Sequence, residues 1–355
     1  MAKIIHTGDI HLDSRFVDFP EDEQRARRES LRNIFSKIVD IANSENVDVL
    51  ILAGDVFDSC SVRPETADSF LRDLRRAKCR VFITPGNHDP LTPASPYATL
   101  DFPENVHIFS SRNLTPVEIP ELSLCIYGAA YTSEVYDERI LDGFSVENDE
   151  LSNIVILHSN LYGEGYSPVS SSEIGRSGAD YVALAHIHKP TDVMRECSTH
   201  YAYCGCPEAR DFGECYDTAV YIGEIEKGNV SLTRRVVSDI RYREETVDAK
   251  DIPDIRTKLP TPRENEFLRL TVTGESEALN EAEIKDMITS YKSVEIFDHT
   301  TAPRDIWEGI EDDDLRGVFL RKMKLKLDSA TTDEEKEKIK LATRFGIDAI
   351  ENREM

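Results

Sequence analysis

The sequence has no apolar run approaching the roughly 20 residues a membrane-spanning helix needs, and no apolar leader precedes its first predicted strand. It also lacks an internal repeat and any paired C-x-x-C spacing. Its seven cysteines are odd in number and irregularly placed, which argues against a disulfide framework and predicts a reduced, cytoplasmic setting. Cys197, Cys204, Cys206 and Cys215 lie close together, yet without paired spacing they read as ordinary thiols rather than a zinc site. Basic charge is scarce: 42 Lys and Arg stand against 67 Asp and Glu, a net charge of -25. That is opposite to the footprint of a protein that holds DNA through phosphate contacts alone. It weakens a nucleic-acid substrate without excluding one, because local basic surface and bound divalent ions both offset carboxylates. With 355 residues and 40% hydrophobic content, the chain can build one large domain and a smaller one without cross-links.

Short β-branched runs alternate with helical stretches up to about residue 243, the pattern of an α/β domain. Strands are predicted over 3–7, 47–53, 81–84, 122–127, 154–158, 181–184, 218–225 and 230–236. Helices are predicted over 23–44, where Leu31, Ile34, Phe35, Ile38 and Ile41 recur at helical spacing, and over 64–78. The Asp-, Glu- and Pro-rich stretch 244–266 reads as a linker, followed by a strand, a helix and a strand over 267–273, 281–291 and 293–299. Two helices close the chain, over 315–327 and 333–350, the second with Thr332 and Glu335 as a capping box. The domains expected are therefore 1–243, a small α+β unit over 244–310, and a helical segment over 311–355.

Polar residues of one kind collect at the strand ends. The blocks are His6-Thr-Gly-Asp-Ile-His-Leu-Asp13, Ala53-Gly-Asp-Val-Phe-Asp58, Ile83-Thr-Pro-Gly-Asn-His-Asp-Pro90, Leu157-His-Ser-Asn160 and Leu184-Ala-His-Ile-His188. Each places Asp or His directly beyond an apolar run, where open α/β sheets build their sites. Alternation along an extended chain would aim Asp9 with His11, and His186 with His188, in one direction. Mixed oxygen and imidazole donors suit manganese, iron or zinc better than calcium or magnesium, and two ions about 3.5 to 4 Å apart clamp a phosphoryl group. Any one of these histidines alone would more often be structural; the set together reads as a metal centre.

The order Asp-x-His, Gly-Asp-x-x-Asp, Gly-Asn-His-Asp, a lone His and a late His-x-His resembles the calcineurin-like metallophosphoesterase superfamily. Within it, the first block and the phrase Cys204-Gly-Cys-Pro-Glu-Ala-Arg-Asp-Phe-Gly-Glu214 resemble the SbcD-type DNA repair nucleases. The resemblance implies a sandwich of two central β-sheets flanked by helices, with a smaller α+β C-terminal cap. It implies one ion on Asp9, His11, Asp55 and His188, and a second on Asp55, Asn87, His158 and His186, with manganese the metal expected. His88 would face the scissile phosphate and Asp89 would orient its ring, while Asp13 and Asp58 would be outer partners of ligands or plain loop caps.

The same resemblance implies 3'-5' exonuclease and single-strand endonuclease activity in DNA break repair, an SbcC-type coiled-coil ATPase partner, and by analogy a homodimer. Arg25, Arg28 and Arg76, from the two basic helices, are the candidate DNA contacts; runs of this kind are more often solvated helix faces. The segment 321–326 could serve the same end, or its helices could dock on the partner. Two positions depart from the relatives: Ala185 replaces a usual glycine, and Asp58 stands where many relatives carry a histidine linked to exonuclease action. The alternatives are a phosphodiesterase or phosphatase acting on nucleotides or other small phosphoesters, and an interaction subunit with a vestigial site.

Overall fold

A computed structural model describes residues 1–303 and 305–351. The chain opens with β1 (Ala2–Thr7) and α1 (Glu21–Ser44), then β2 (Val49–Leu52), α2 (Pro64–Arg76), β3 (Arg80–Ile83), the single turn α3 (Pro96–Thr99) and β4 (Val106–Ile108). A second set follows: β5 (Thr115–Ile119), β6 (Leu124–Gly128), β7 (Ser152–His158), α4 (Ser171–Arg176), β8 (Tyr181–Ala185), β9 (Met194–Glu196) and β10 (Thr199–Tyr203). β11 (Val220–Glu226) and β12 (Asn229–Arg235) return to the first sheet.

The result is two mixed six-stranded sheets, ordered β12-β11-β1-β2-β3-β4 and β5-β6-β7-β8-β10-β9. In each, four neighbouring strands run parallel and the antiparallel partners sit at the edges. Both faces of the central strands are covered, which is why they read as unbroken apolar runs such as Val49-Leu-Ile-Leu52. Alternate residues then enter different cores. Ile4, Val49, Ile51 and Phe82 meet Ile126, Ile154 and Ile156 between the sheets, while Ile5, Leu50, Leu52 and Ile83 pack under Leu31, Phe35 and Ile38 of α1 and Phe70 and Leu74 of α2. Each such side chain contributes about 1.5–3 kcal/mol by burial. A third cluster covers the outer face of the second sheet, with Val155, Leu157, Val182 and Leu184 against Ile174 of α4.

α1 starts after Pro20 with Glu21, Asp22 and Glu23 in its first turn, where carboxylates favour the positive end of the helix dipole. α2 takes Pro64 in its first turn and ends on Arg75 and Arg76. Because β2 and β3 are parallel, α2 runs from the carboxyl ends of the strands back to their amino ends.

The stretch 244–266 is not a plain linker. It continues β13 (Arg241–Asp248), then forms a 3-10 segment over Ala249–Asp254 and α5 (Ile255–Lys258). Tyr242 and Val247 face inward between exposed charges, and the buried Glu266 carboxylate lies 2.6 Å from Arg243 Nε, so the acidic composition hides a strand pattern. β14 (Glu266–Thr273), α6 (Glu281–Met287) and β15 (Ser293–Asp298) follow, and β13, β14 and β15 form a small third sheet in that order. α7 (Leu315–Ser329) and α8 (Asp333–Ile350) end the described chain. Thr332 accepts from the Glu335 N–H, but the Glu335 carboxylate takes the Thr331 N–H, one residue before a strict capping box.

Two compact units emerge: residues 1–245 with 260–270 and 288–295, and residues 246–259 with 271–287 and 296–355. The first contains both six-stranded sheets and every expected site residue. The second contains α7 and α8, where Phe319 packs so closely on Gly346 that a Cβ there would lie 2.1 Å from its ring. Among the described residues no helix is long and apolar enough to cross a membrane.

Candidate metal centre

Five loops bring the centre together at the carboxyl ends of β1, β2, β3, β7 and β8. Asp9, His11 and His188 each offer one ligand atom, all within 4.8 Å of one another, and so do Asp9, Asp55 and His158. His11 Nε2 and His188 Nε2 are 3.2 Å apart. Asp55 Oδ2 lies 3.7 Å from His11 Nε2 and 3.2 Å from His158 Nε2, so one carboxylate oxygen faces both halves of the site. Asn87 Oδ1 is 2.9 Å from His158 Nε2 and 3.2 Å from His186 Nδ1. Donors bound at about 2.1 Å to one cation are separated by about 3 to 3.5 Å, so most of these spacings fit two ions sharing Asp55.

The donor chemistry fits as well. His158 Nδ1 is 3.1 Å from the Ala53 carbonyl, which only accepts, so Nδ1 carries a proton and Nε2 is the nitrogen aimed at the site. Burial depresses this imidazole's pKa, but the Asp55 and Asp9 carboxylates and the Ala53 carbonyl together outweigh burial and hold it up at about 9. Asp55 correspondingly sits well below the usual carboxylate range: burial alone would raise it, and His158 with His11 pulls it down. His186, mostly buried and next to the cationic His158, is pushed down to about 4.

Backbone geometry differs from the alternation read along an extended chain. Asp9, His11, Asp13, Asp55 and His186 all adopt positive φ, between 48° and 97°. Left-handed turns, which disfavour residues with a Cβ, therefore aim the ligands. His186 and His188 do not converge on one point: His186 joins Asn87 and His158, while His188 joins His11 and Asp9. Two glycines make room. A Cβ on Gly54 (φ +97°) would lie 2.3 Å from His158 Nδ1, and one on Gly86 would lie 2.1 Å from Asp55 Oδ1. Ala185 is absent from the positive-φ residues and fills the space opposite Gly8, where an added Cβ would come within 2.7 Å of its own.

His88 is exposed at the mouth of the site, its ring 4.7 Å from that of His11 at 87°. Asp89 does not orient it. The Asp89 carboxylate accepts from Phe57 N–H, Gly86 N–H and Tyr97 Oη at 2.9, 2.7 and 2.5 Å, and burial with Asp55 nearby pushes its pKa up to about 6. The ring of His88 instead places Nδ1 3.2 Å from the Asp58 carbonyl.

Asp58 touches a ligand and Asp13 does not. Asp58 Oδ1 is 3.2 Å from His11 Nδ1, whereas Asp13 accepts from the Arg63 N–H and guanidinium and from Thr66, securing the start of α2. The expected arginines are spread out. Arg25 pairs with Glu21, Arg28 is buried against the Arg15 carbonyl, and Arg76 is bound to Asp73, Asp40 and Ser36 at the amino ends of the strands, away from the site. Arg210 and Glu214, not among the expected residues, reach His188; only the phrase 204–214 hinted at them, since the strand before it, β10, was not among those predicted.

Two sheets whose joined carboxyl ends gather carboxylates, an amide oxygen and imidazoles at these spacings define a candidate dinuclear metallohydrolase. The family model of the calcineurin-like phosphoesterases matches residues 2–190, and the chain belongs to that family. It is 31% identical over 290 residues to a protein of Bacillus subtilis named uncharacterized metallophosphoesterase YhaO, covering 76% of this chain and 68% of that one. It is 25% identical over 277 residues to the D component of the nuclease SbcCD of the same organism, covering 66% and 69% of the two chains. A solved structure, TT1561 of Thermus thermophilus, aligns with a TM-score of 0.42 at 15% identity, over 67% of this chain and 99% of that one.

Proposed function

We propose that this metallophosphoesterase is a two-metal DNA nuclease of the SbcD type, using manganese and working beside a coiled-coil ATPase in the repair of DNA breaks. The observation that carries the reading is the Asp55 carboxylate oxygen that faces both His11 and His158, linking the two halves of the site, with His88 exposed at their mouth. Asp9, His11, Asp55 and His188 would hold one ion, and Asp55, Asn87, His158 and His186 the other. When bound, such ions polarise the phosphoryl group and lower the pKa of the attacking water towards about 7.

The chain's own residues do the rest. His88 Nδ1 faces a carbonyl acceptor and so carries a proton, and when the ring is protonated on both nitrogens Nε2 donates to the leaving oxygen. Asp89 and Tyr97 hold the loop that carries His88. A groove of about 380 Å³ beside Asp58 is lined by Asp13, Arg15, Arg63 and neighbouring residues. Arg28 donates to the Arg15 carbonyl and Arg63 pairs with Asp13, so basic side chains that a DNA backbone could meet stand at this groove beside the carboxylates of Asp13 and Asp58. The name of the SbcCD relative, a nuclease subunit, supports a nuclease that works beside an SbcC-type partner; a DNA substrate, 3'-5' exonuclease with single-strand endonuclease action and a homodimer are what the resemblance to SbcD-type nucleases implies.

The net charge of -25 favours a second reading, a phosphodiesterase acting on nucleotides or other small phosphoesters. Hydrolysis of labelled linear duplex DNA and of bis-p-nitrophenyl phosphate in manganese, by wild type and His88→Gln, separates the two. Cleavage of DNA that His88→Gln loses while keeping metal supports the nuclease. Turnover of the small ester alone, with the ATPase partner supplied, supports the second reading.

A further inference from the structure

His188 reaches the site through Nε2, so its other nitrogen decides which way the ring presents its lone pair. Nδ1 lies 2.7 Å from Glu214 Oε1, and Glu214 is 4% exposed. An ionised carboxylate can only accept, so this contact, shorter than the 3.1 Å from Nδ1 to Arg210 Nη2, places a proton on Nδ1 and leaves Nε2 free to ligate. The carboxylate is itself held on both oxygens. Oε2 accepts the Arg210 N–H at 2.6 Å, and Oε1 accepts from Arg210 Nη2 at 3.3 Å. Locally this follows from a 3-10 turn over Phe212–Glu214, capped by Asp211, whose side chain accepts the Gly213 N–H. The same loop is pinned to the ligand's backbone by the Cys206 N–H, 2.9 Å from the His188 carbonyl.

Arg210 extends the contact across the site. Its Nη1 is 3.3 Å from Asp58 Oδ1, the oxygen that stands 3.2 Å from His11 Nδ1. Its side chain is 16% exposed, and Asp58 also accepts from Ser14. A single guanidinium therefore bridges the two carboxylates that lie behind two imidazoles facing each other at 3.2 Å. Arg suits this role because its fork is rigid and permanently charged, where Lys would reach one carboxylate at a time.

We propose that Glu214, Arg210 and Asp58 form a brace that sets the tautomer of His188 and its spacing from His11, making them positioning residues for the ion held by Asp9, His11, Asp55 and His188. The proposal rests on the two-ion reading of the site. The second cluster, on Asn87, His158 and His186, touches none of the three brace residues, and so serves as an internal reference.

Two readouts test the brace on the full chain. In metal-free protein with nitrogen-15 histidine, read on the alkaline side where the His188 signal no longer changes with pH, His188 should be the Nδ1–H tautomer in wild type and a mixture in Glu214→Gln. This measurement needs no metal and stands if the two-ion reading fails. In manganese titrations followed by calorimetry, Glu214→Gln and Arg210→Lys should bind one ion about 10- to 100-fold more weakly, the range for outer partners of metal ligands, and the other unchanged. Wild type that takes up no second ion overturns the two-ion reading. An unchanged tautomer in Glu214→Gln overturns the brace, as does equal weakening of both ions, which would mark a merely structural role.

Discussion

His11 Nε2 and His188 Nε2 face each other at 3.2 Å although 177 residues separate them in sequence. Two imidazole nitrogens so placed compete for one proton unless a cation lies between them. Manganese added to chelator-treated protein should therefore raise the melting temperature, by an amount equivalent to about 2.7 kcal/mol at a hundred times the dissociation constant. In His188→Ala most of that rise should vanish. Differential scanning calorimetry decides it, and a wild type indifferent to manganese would count against the ligand set.

His88 and Asp89 are adjacent but should fail in different ways. His88 is exposed, so His88→Gln should leave urea unfolding unchanged while turnover falls by about 10²- to 10⁴-fold, the range for a general acid. Asp89→Asn puts an amide where three donors converge, and should cost about 1–3 kcal/mol of stability. Equal stability losses in the two variants would contradict these separate roles.

Gly86→Ala should disable the centre without touching a ligand. The added Cβ would lie 2.1 Å from Asp55 Oδ1, so either the loop or the shared carboxylate must move. The expected outcome is a stability loss of about 1–3 kcal/mol, as for overpacking elsewhere, with manganese affinity falling too. Normal metal binding in Gly86→Ala would show that Asp55 can shift freely.

His6 belongs to the first sequence block but not to the site: it is fully buried, with Nδ1 2.8 Å from Tyr181 Oη. Burial pushes its pKa down to about 3 from the ordinary 6.5. Below pH 6.5 the unfolded chain binds this proton and the folded chain does not, so stability falls as pH drops from 6.5 towards 3, by up to about 1.4 kcal/mol per pH unit. His6→Gln should be less stable at pH 7 yet decline less steeply with acid. Parallel urea midpoints for the two proteins between pH 7 and 4.5 would refute this.

Arg27 and Glu208 form an ion pair at 3.1 Å with side chains 2% and 1% exposed. Arg27→Met would strand a buried carboxylate and should cost about 3–5 kcal/mol. Adding Glu208→Gln should recover part of that loss, because the uncompensated charge is then gone. A double-mutant cycle from chemical denaturation measures the coupling, and additive effects would exclude it.

Strand-end blocks were legible because periodicity of apolar residues locates strands, and ligands cannot be varied in kind without losing the metal. The short strands β4, β5 and β9 were not, since three to five residues at a sheet edge carry little pattern. β13 was hidden by charges whose pairing with arginines lies far along the chain. Asp89 was given the wrong partner because its donors, the Phe57 and Gly86 N–H groups and the Tyr97 hydroxyl, are set by loop contacts rather than by adjacency, while Asp13 takes the loop-cap role of its two alternatives.

By itself the sequence determined which residues could bind metal, in what order, and that the strands of an α/β domain would carry them, because donor type and hydrophobic spacing are properties of the chain; the two-sheet sandwich was implied by the family resemblance. The family resemblance implied that His186 and His188 serve different ions with Asp55 on both; only the tertiary structure decided that left-handed turns aim these side chains, that Asp89 turns away from His88, and that Arg210 spans Asp58 and Glu214. These depend on angles at left-handed residues and on contacts between loops from two sheets, and no spacing along one chain encodes a distance between two others.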